Sequence, residues 1–141
     1  MKEKLKKILS VLLLCAMVIL LNVTAPLADR RSGTIRVPTG GVMVKAESGV
    51  IRTGEYSYAR AVAKSVYPTG SYTTDNFTKC KTRLYKNGSA TTISKTYTLT
   101  EGTAKRLYIN EGYLGQKKLD LYFSGNNDNL PAYIAYSFNG L

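Results

Sequence analysis

The feature that most constrains the fold is a series of short segments with the composition of β-strands, which begins near residue 50 and runs to the C-terminus. Thr, Tyr, Val and Ile are plentiful in these segments, Gly and Asn separate them, and no long helical pattern appears. Short strands that recur about every 8–12 residues are typical of an antiparallel sandwich or a small barrel. We therefore predict an all-β fold: a small antiparallel β-sandwich, or a small barrel, of about six or seven strands.

Alternation along two of these segments predicts which side chains face the core. From 77 to 86, one parity carries Thr78, Cys80, Thr82 and Leu84, and the other carries Lys79, Lys81, Arg83 and Tyr85. From 117 to 124, the inward parity is Leu119, Leu121 and Phe123, and the outward parity is Lys118, Asp120 and Tyr122. Because successive side chains of a strand point to opposite faces, the first parity in each segment is expected to pack inward.

Two further patterns are less regular. The segment 56–67 places Tyr56, Tyr58, Val62 and Val66 on one parity and is predicted as a strand, although its alanines would also suit a helix. The pair Asn87-Gly88 predicts a tight hairpin turn after the segment 77–86, since Asn and Gly readily adopt positive backbone angles.

The N-terminus has the pattern of a secretory signal. Lysines at positions 2, 4, 6 and 7 precede an apolar run from Ile8 to Leu21. A positive start followed by about 7–15 apolar residues is typical of a signal peptide, whereas a membrane-spanning helix needs about 20. We predict a signal helix in residues 1–28, with cleavage after Ala28 or as late as Ala46. The protein is then secreted or associated with the cell envelope, with no stable transmembrane segment after cleavage.

The composition also divides the rest of the chain. Residues 29–49 are rich in Gly and Arg and show no periodicity, so they are predicted to be a flexible basic linker or pro-segment, followed by a β-sandwich domain at 50–141. Cys80 is the only cysteine after the apolar run and has no partner for an internal disulfide. It is expected to be a small buried side chain, with an intermolecular disulfide as the alternative.

The residue types give little support for catalysis. The chain has no histidine, which removes the usual general base of hydrolases and the commonest metal ligand. Glu101 and Glu111 are the most suitable carboxylates for a hydrolase, yet each precedes a glycine, as acidic turn residues commonly do. We therefore predict that the protein is not an enzyme and has no catalytic, cofactor-binding or metal site, and no cofactor.

Positive charge and tyrosine content carry the functional signal. The full chain has a formal charge of +11, and residues from Glu47 onward keep 12 Lys or Arg against 7 Asp or Glu. Such a surface attracts anionic material. All 11 tyrosines lie between Tyr56 and Tyr136, and a tyrosine ring offers sugars and proteins a flat apolar surface with a polar tip. Nucleic acid is not expected as a partner of an exported chain, and the oligomeric state is left open.

The candidate ligand-binding residues are Lys79, Lys81, Arg83, Tyr85, Lys118 and Tyr122. The leading hypothesis is a secreted, non-enzymatic interaction module that binds cell-wall or membrane polyanions or glycans through these residues. The alternative is a bacteriocin-like antimicrobial or toxin protein that acts at the envelope of a target cell. A purely structural interpretation is also open, in which the lysines keep a solvated strand from aggregating edge to edge.

Overall fold

The structure is a computed structural model that describes residues 28–68, 78–126 and 130–141. The predicted signal helix lies outside the described residues. Within them the chain forms eight strands and one short 3₁₀-helix. The strands are β1 (Arg30–Val37), β2 (Val44–Ile51), β3 (Tyr58–Pro68), β4 (Lys79–Lys86), β5 (Tyr97–Thr100), β6 (Ala104–Tyr108), β7 (Lys118–Gly125) and β8 (Ala132–Asn139), and the 3₁₀-helix is Glu111–Tyr113.

The strands form two antiparallel sheets. The first sheet has the order β1-β8-β3-β6 and the second has the order β2-β7-β4-β5. Strand β1 pairs with β8, β2 with β7, β3 with β6 and β4 with β5, so the chain folds back on itself like one long hairpin wrapped around a core. This is the order of a jelly roll, a sandwich of two four-stranded sheets. The predicted all-β antiparallel sandwich is confirmed, with eight strands in the described residues rather than about six or seven.

The flexible linker predicted for residues 29–49 is wrong, because this segment supplies β1 and most of β2. The two strands escape sequence analysis for different reasons. Strand β1 lies at a sheet edge, and most of its residues are exposed, so only Ile35 and Val37 carry an apolar signal. Strand β2 contains two register shifts, after Lys45 and after Glu47, which break the alternation that marks a strand. The β-domain therefore includes β1 and does not begin at residue 50.

The core lies between the two sheets and explains why the facing of β4 and β7 is predictable. Leu84, Leu119, Leu121 and Phe123 are fully buried, as their parity predicts, and full burial of each such side chain contributes about 1.5–3 kcal/mol. Cys80 is also fully buried and forms no disulfide within the described residues. Burial raises the pKa of its thiol to about 12, so the thiol stays protonated at neutral pH.

Strand β3 forms where it is predicted, and over its first half the alanines, rather than the larger side chains, face the core. The small side chains of Ala59, Ala61 and Ala63 are buried, whereas Tyr58 and Val62 are only partly buried. A bulge between Ala63 and Ser65 then reverses the parity and brings Val66 into the core. Tyr58, Val62 and Val66, which share one parity in the sequence, therefore do not share one face of the strand.

Candidate anion-binding faces

The six candidate residues lie on the outer face of the second sheet, which we call the basic face (Lys79, Lys81, Arg83, Tyr85, Lys118, Tyr122). Arg83 of β4 is paired directly with Tyr122 of β7, and the next outward residue, Tyr85, is paired with Asp120. Lys81 is paired with Ser124 on one side and with Thr98 of β5 on the other. The structure therefore brings Lys81, Arg83, Tyr85 and Tyr122 together in the middle of the face.

The two remaining candidates lie at opposite ends of the basic face. Lys79 is paired with Thr100 of β5 at the start of β4. Lys118 is paired with Ile51 of β2, two residues before Asp120 on β7. Both side chains are exposed, and they extend the positive charge toward the two ends of the sheet.

The two tyrosines of the basic face form a pair rather than two separate exposed rings. The ring centroids of Tyr85 and Tyr122 are 4.2 Å apart, with an angle of 38° between the ring planes. The ammonium group of Lys45 lies 5.6 Å from the centroid of Tyr122, a cation–π contact from β2. Both tyrosines are half-buried, so part of each side chain reaches solvent.

Arg83 is held in place by a threonine of the neighbouring connection. Its Nε donates a 2.8 Å hydrogen bond to Oγ1 of Thr96, and a second guanidinium nitrogen contacts the same oxygen. A guanidinium held in this way has less conformational entropy left to lose than a free one.

Asp120 is predicted to face solvent but is fully buried. Its parity is outward, yet β2 and the turn after β4 fold over it. Lys45 forms an ion pair with it, with a distance of 3.0 Å between Nζ and Oδ2. The Asn87 amide donates a 2.7 Å hydrogen bond to Oδ1 and the Gly88 N–H a 3.2 Å bond to Oδ2. Of this turn only Gly88 has a positive φ, of 69°, so the predicted turn forms while Asn87 serves as a donor.

Three arginines on the outer face of the first sheet escape sequence analysis. Arg30 of β1 and Arg60 of β3 are both paired with Asn139 of β8, and Arg60 is also paired with Arg106 of β6. The three arginines therefore lie in one row across the sheet. Arg30 falls in the predicted linker, and Arg60 interrupts the apolar parity of the segment 56–67. The sequence shows that both residues are basic, but it does not predict the strand register that places them in one row.

A shallow hollow of about 460 Å³ lies over β8, between β1 and β3. Arg30, Arg60 and Lys64 surround it, and Ser32, Ser137 and Asn139 lie on its floor. We call these six residues the arginine hollow. Ser32 and Ser137 are directly paired across β1 and β8, so short hydroxyl side chains lie between the long cationic ones. Among the described residues, no carboxylate lines the hollow.

The remaining chemical candidates take structural positions. Glu101 accepts a 2.9 Å hydrogen bond from the backbone N–H of Val66, next to the bulge in β3. Glu111 begins the 3₁₀-helix. Residues 28–68, 78–126 and 130–141 contain no group of three or more His, Cys, Asp or Glu residues that could hold a metal ion. The same residues contain no helix that is long and apolar enough to cross a membrane.

Comparison with known proteins adds one structure. No family model matches the chain, and no curated protein matches it. Among solved structures, the chain is similar to one described by the words "Bacillus endospore appendages form a novel family of disulfide-linked pili". The identity is 9% and the TM-score 0.37, over 82% of this chain and 91% of that chain. A similarity of this size carries no argument about function or assembly.

Proposed function

We propose that the chain is an exported, non-enzymatic domain that binds an anionic polymer or acidic glycan of the cell envelope through the basic face. The observation that carries the proposal is the group formed by Lys81, Arg83, Tyr85 and Tyr122. Two cationic side chains lie beside a pair of aromatic rings, which suits a ligand that carries both negative charge and sugar rings.

The electrostatics of this face support the same ligand class. Asp120 is the carboxylate nearest to the group along the described strands, and it is buried and paired with Lys45. Its charge is therefore offset before a ligand arrives. The positive charges of Lys81 and Arg83 act on solvent without a carboxylate partner in the described part of the chain.

Binding of the exported protein to purified cell-wall polymer across a salt series tests the proposal. We expect the wild type to bind at low salt and to release as ionic strength rises, because salt screens surface charge beyond a Debye length of about 8–10 Å. The double variant Lys81→Gln/Arg83→Gln should bind at least about fivefold more weakly. The matched control Lys95→Gln/Lys117→Gln removes the same charge from exposed positions that are not among the six residues of the basic face, and it should bind within about twofold of wild type.

Two results would contradict the proposal. Equal weakening of both double variants would mean that binding follows net charge alone. Inhibition of bacterial growth by the purified protein, undiminished in the Lys81→Gln/Arg83→Gln variant, would instead favour the antimicrobial alternative. If Tyr122→Leu keeps its stability but binds wall polymer more weakly, the result would support a contribution of the aromatic pair to binding.

A further inference from the structure

The arginine hollow has a geometry that the basic face lacks, because cations approach it from both sides. Neighbouring strands lie about 4.8 Å apart, so Arg30 and Arg60, which flank β8, start about 10 Å apart. The strand between them carries Ser137 and Asn139, whose short side chains leave the space open. A ligand in this space meets a cation on either side and hydroxyl and amide groups beneath.

The charge in the hollow is not neutralised by the described part of the protein. The ion pairs in that part are Arg31 with Asp29, Arg31 with Glu47, and Lys45 with Asp120. None of them involves Arg30, Arg60 or Lys64. Like charges that face one shared space repel one another. A bound anion would remove this repulsion.

The number and direction of the donors favour phosphate over carboxylate. A carboxylate has two oxygens in one plane, and a single guanidinium can satisfy both of them. A phosphate group is tetrahedral and accepts hydrogen bonds from several directions at once. Guanidinium groups from Arg30 and Arg60, the ammonium of Lys64 and the hydroxyls of Ser32 and Ser137 line the hollow from three strands, so a ligand there has donors on more than one side.

A second hollow continues the first and indicates a polymer. It also measures about 460 Å³, shares Arg30, Arg60 and Asn139 with the first, and adds Tyr58 and Arg106. The guanidinium carbon of Arg106 lies 4.9 Å from the centroid of the Tyr58 ring, which orients it on the same face. A row of cations with an aromatic ring at one end suits a chain that repeats phosphate and sugar or polyol units.

We propose that the arginine hollow is a second anion-binding site, which takes the phosphate groups of an extended polyphosphate or phosphodiester polymer. It lies on the sheet opposite the basic face, so the two sites are separate. The domain then has one binding face on each side of the sandwich.

Binding of inorganic polyphosphate and of polygalacturonate, measured by calorimetry on the exported protein, tests this site. We expect wild type to bind polyphosphate more tightly than the carboxylate polymer. Arg30→Gln/Arg60→Gln should weaken polyphosphate binding at least about tenfold, since hydrogen bonds to charged groups are lost. Lys81→Gln/Arg83→Gln removes the same charge from the opposite face and should change the affinity for polyphosphate less than about threefold. If Lys81→Gln/Arg83→Gln fails to bind wall polymer, that result bears on the function proposed for the basic face and not on the arginine hollow.

A conservative variant separates geometry from charge. Arg60→Lys keeps the positive charge but loses the planar pair of donors, so polyphosphate binding should weaken about threefold or more. If Arg30→Gln/Arg60→Gln does not fold, Arg60→Lys alone still tests the site. Equal weakening by the two glutamine double variants, unchanged affinity of Arg60→Lys, or tighter binding of polygalacturonate would each overturn the phosphate site.

Discussion

The side-chain amide of Asn87 donates a 2.7 Å hydrogen bond to the carboxylate of Asp120, which joins the turn after β4 to the middle of β7. Ser48 and the Gly49 N–H of β2 donate to the same oxygen, at 3.1 and 2.9 Å. Lys45 forms the ion pair with the other oxygen. A carboxylate without solvent exposure is thus bound by donors from two chain segments that pack against β7. Its ionisation holds these segments together.

Acid is therefore expected to destabilise the domain through Asp120. Burial alone would raise the pKa of this carboxyl, but hydrogen bonds from Asn87, Gly49, Lys45 and Gly88 outweigh burial and lower the pKa from 3.8 to about 2. Because the folded-state pKa is the lower one, the stabilisation is fully present above about pH 4 and is lost as the pH falls through about 2. Urea unfolding across this range should show a loss on the order of 1–2 kcal/mol in the free energy of unfolding.

Two variants isolate this contribution. In Asp120→Asn the part of the pH dependence that comes from this carboxyl should disappear. The free energy of unfolding at neutral pH should also be lower than in wild type, because Lys45 loses its ion-pair partner. Glu55→Gln changes an exposed carboxyl and should keep the wild-type profile. If Asp120→Asn and wild type lose stability in parallel between about pH 4 and 2, Asp120 does not have the role assigned to it.

Gly33 and Tyr136 are expected to be energetically coupled. The two residues are paired across β1 and β8, and a Cβ added at Gly33 would lie 2.9 Å from the Tyr136 hydroxyl. That hydroxyl donates a 2.6 Å hydrogen bond to Oε1 of Glu47 and is held in place by it. Gly33→Ala should therefore cost about 1–2 kcal/mol in wild type, and clearly less in Tyr136→Phe, where the oxygen is absent. A double-mutant cycle by urea unfolding measures the difference; strictly additive effects would show that the contact carries no strain.

Gly140 is expected to tolerate no side chain. It is buried next to β2, and a Cβ there would lie 2.2 Å from the carbonyl oxygen of Ile51. Because the obstacle is backbone, the clash requires β2 and the C-terminus to separate, and Gly140→Ala should cost about 2 kcal/mol or more. Gly115→Ala is the matched control, since a Cβ there has no atom within 4 Å and the change should stay within about 0.5 kcal/mol. Equal melting temperatures of the two variants would contradict the close packing.

Local periodicity predicts which side chains face the core where the facing depends on one strand alone. Leu84 and Phe123 face the core because their strands alternate without interruption. Local periodicity fails where the burial of a side chain depends on a second strand. Asp120 is on an outward parity, and only the fold of β2 over it makes it buried. The arginine hollow depends on the register that sets Arg30 beside a strand more than one hundred residues later in the chain, and that register has no local sequence signal.

The start of the folded domain gives the last prediction. Strand β1 pairs along its whole length with β8 and supplies Val37 to the core, and β2 pairs with β7. A protein that begins at residue 47 lacks β1 and the first three residues of β2. Strand β8 then loses its edge neighbour and β7 loses its pairs with Val44 and Lys45, so we expect no cooperative unfolding transition. A protein that begins at residue 28 should unfold cooperatively in urea when followed by circular dichroism. If export removes a leader, N-terminal sequencing of the exported protein should then find a start before Arg30, as for cleavage after Ala28. A stable, cooperatively folded protein that begins after Ala46 would show instead that β1 is dispensable.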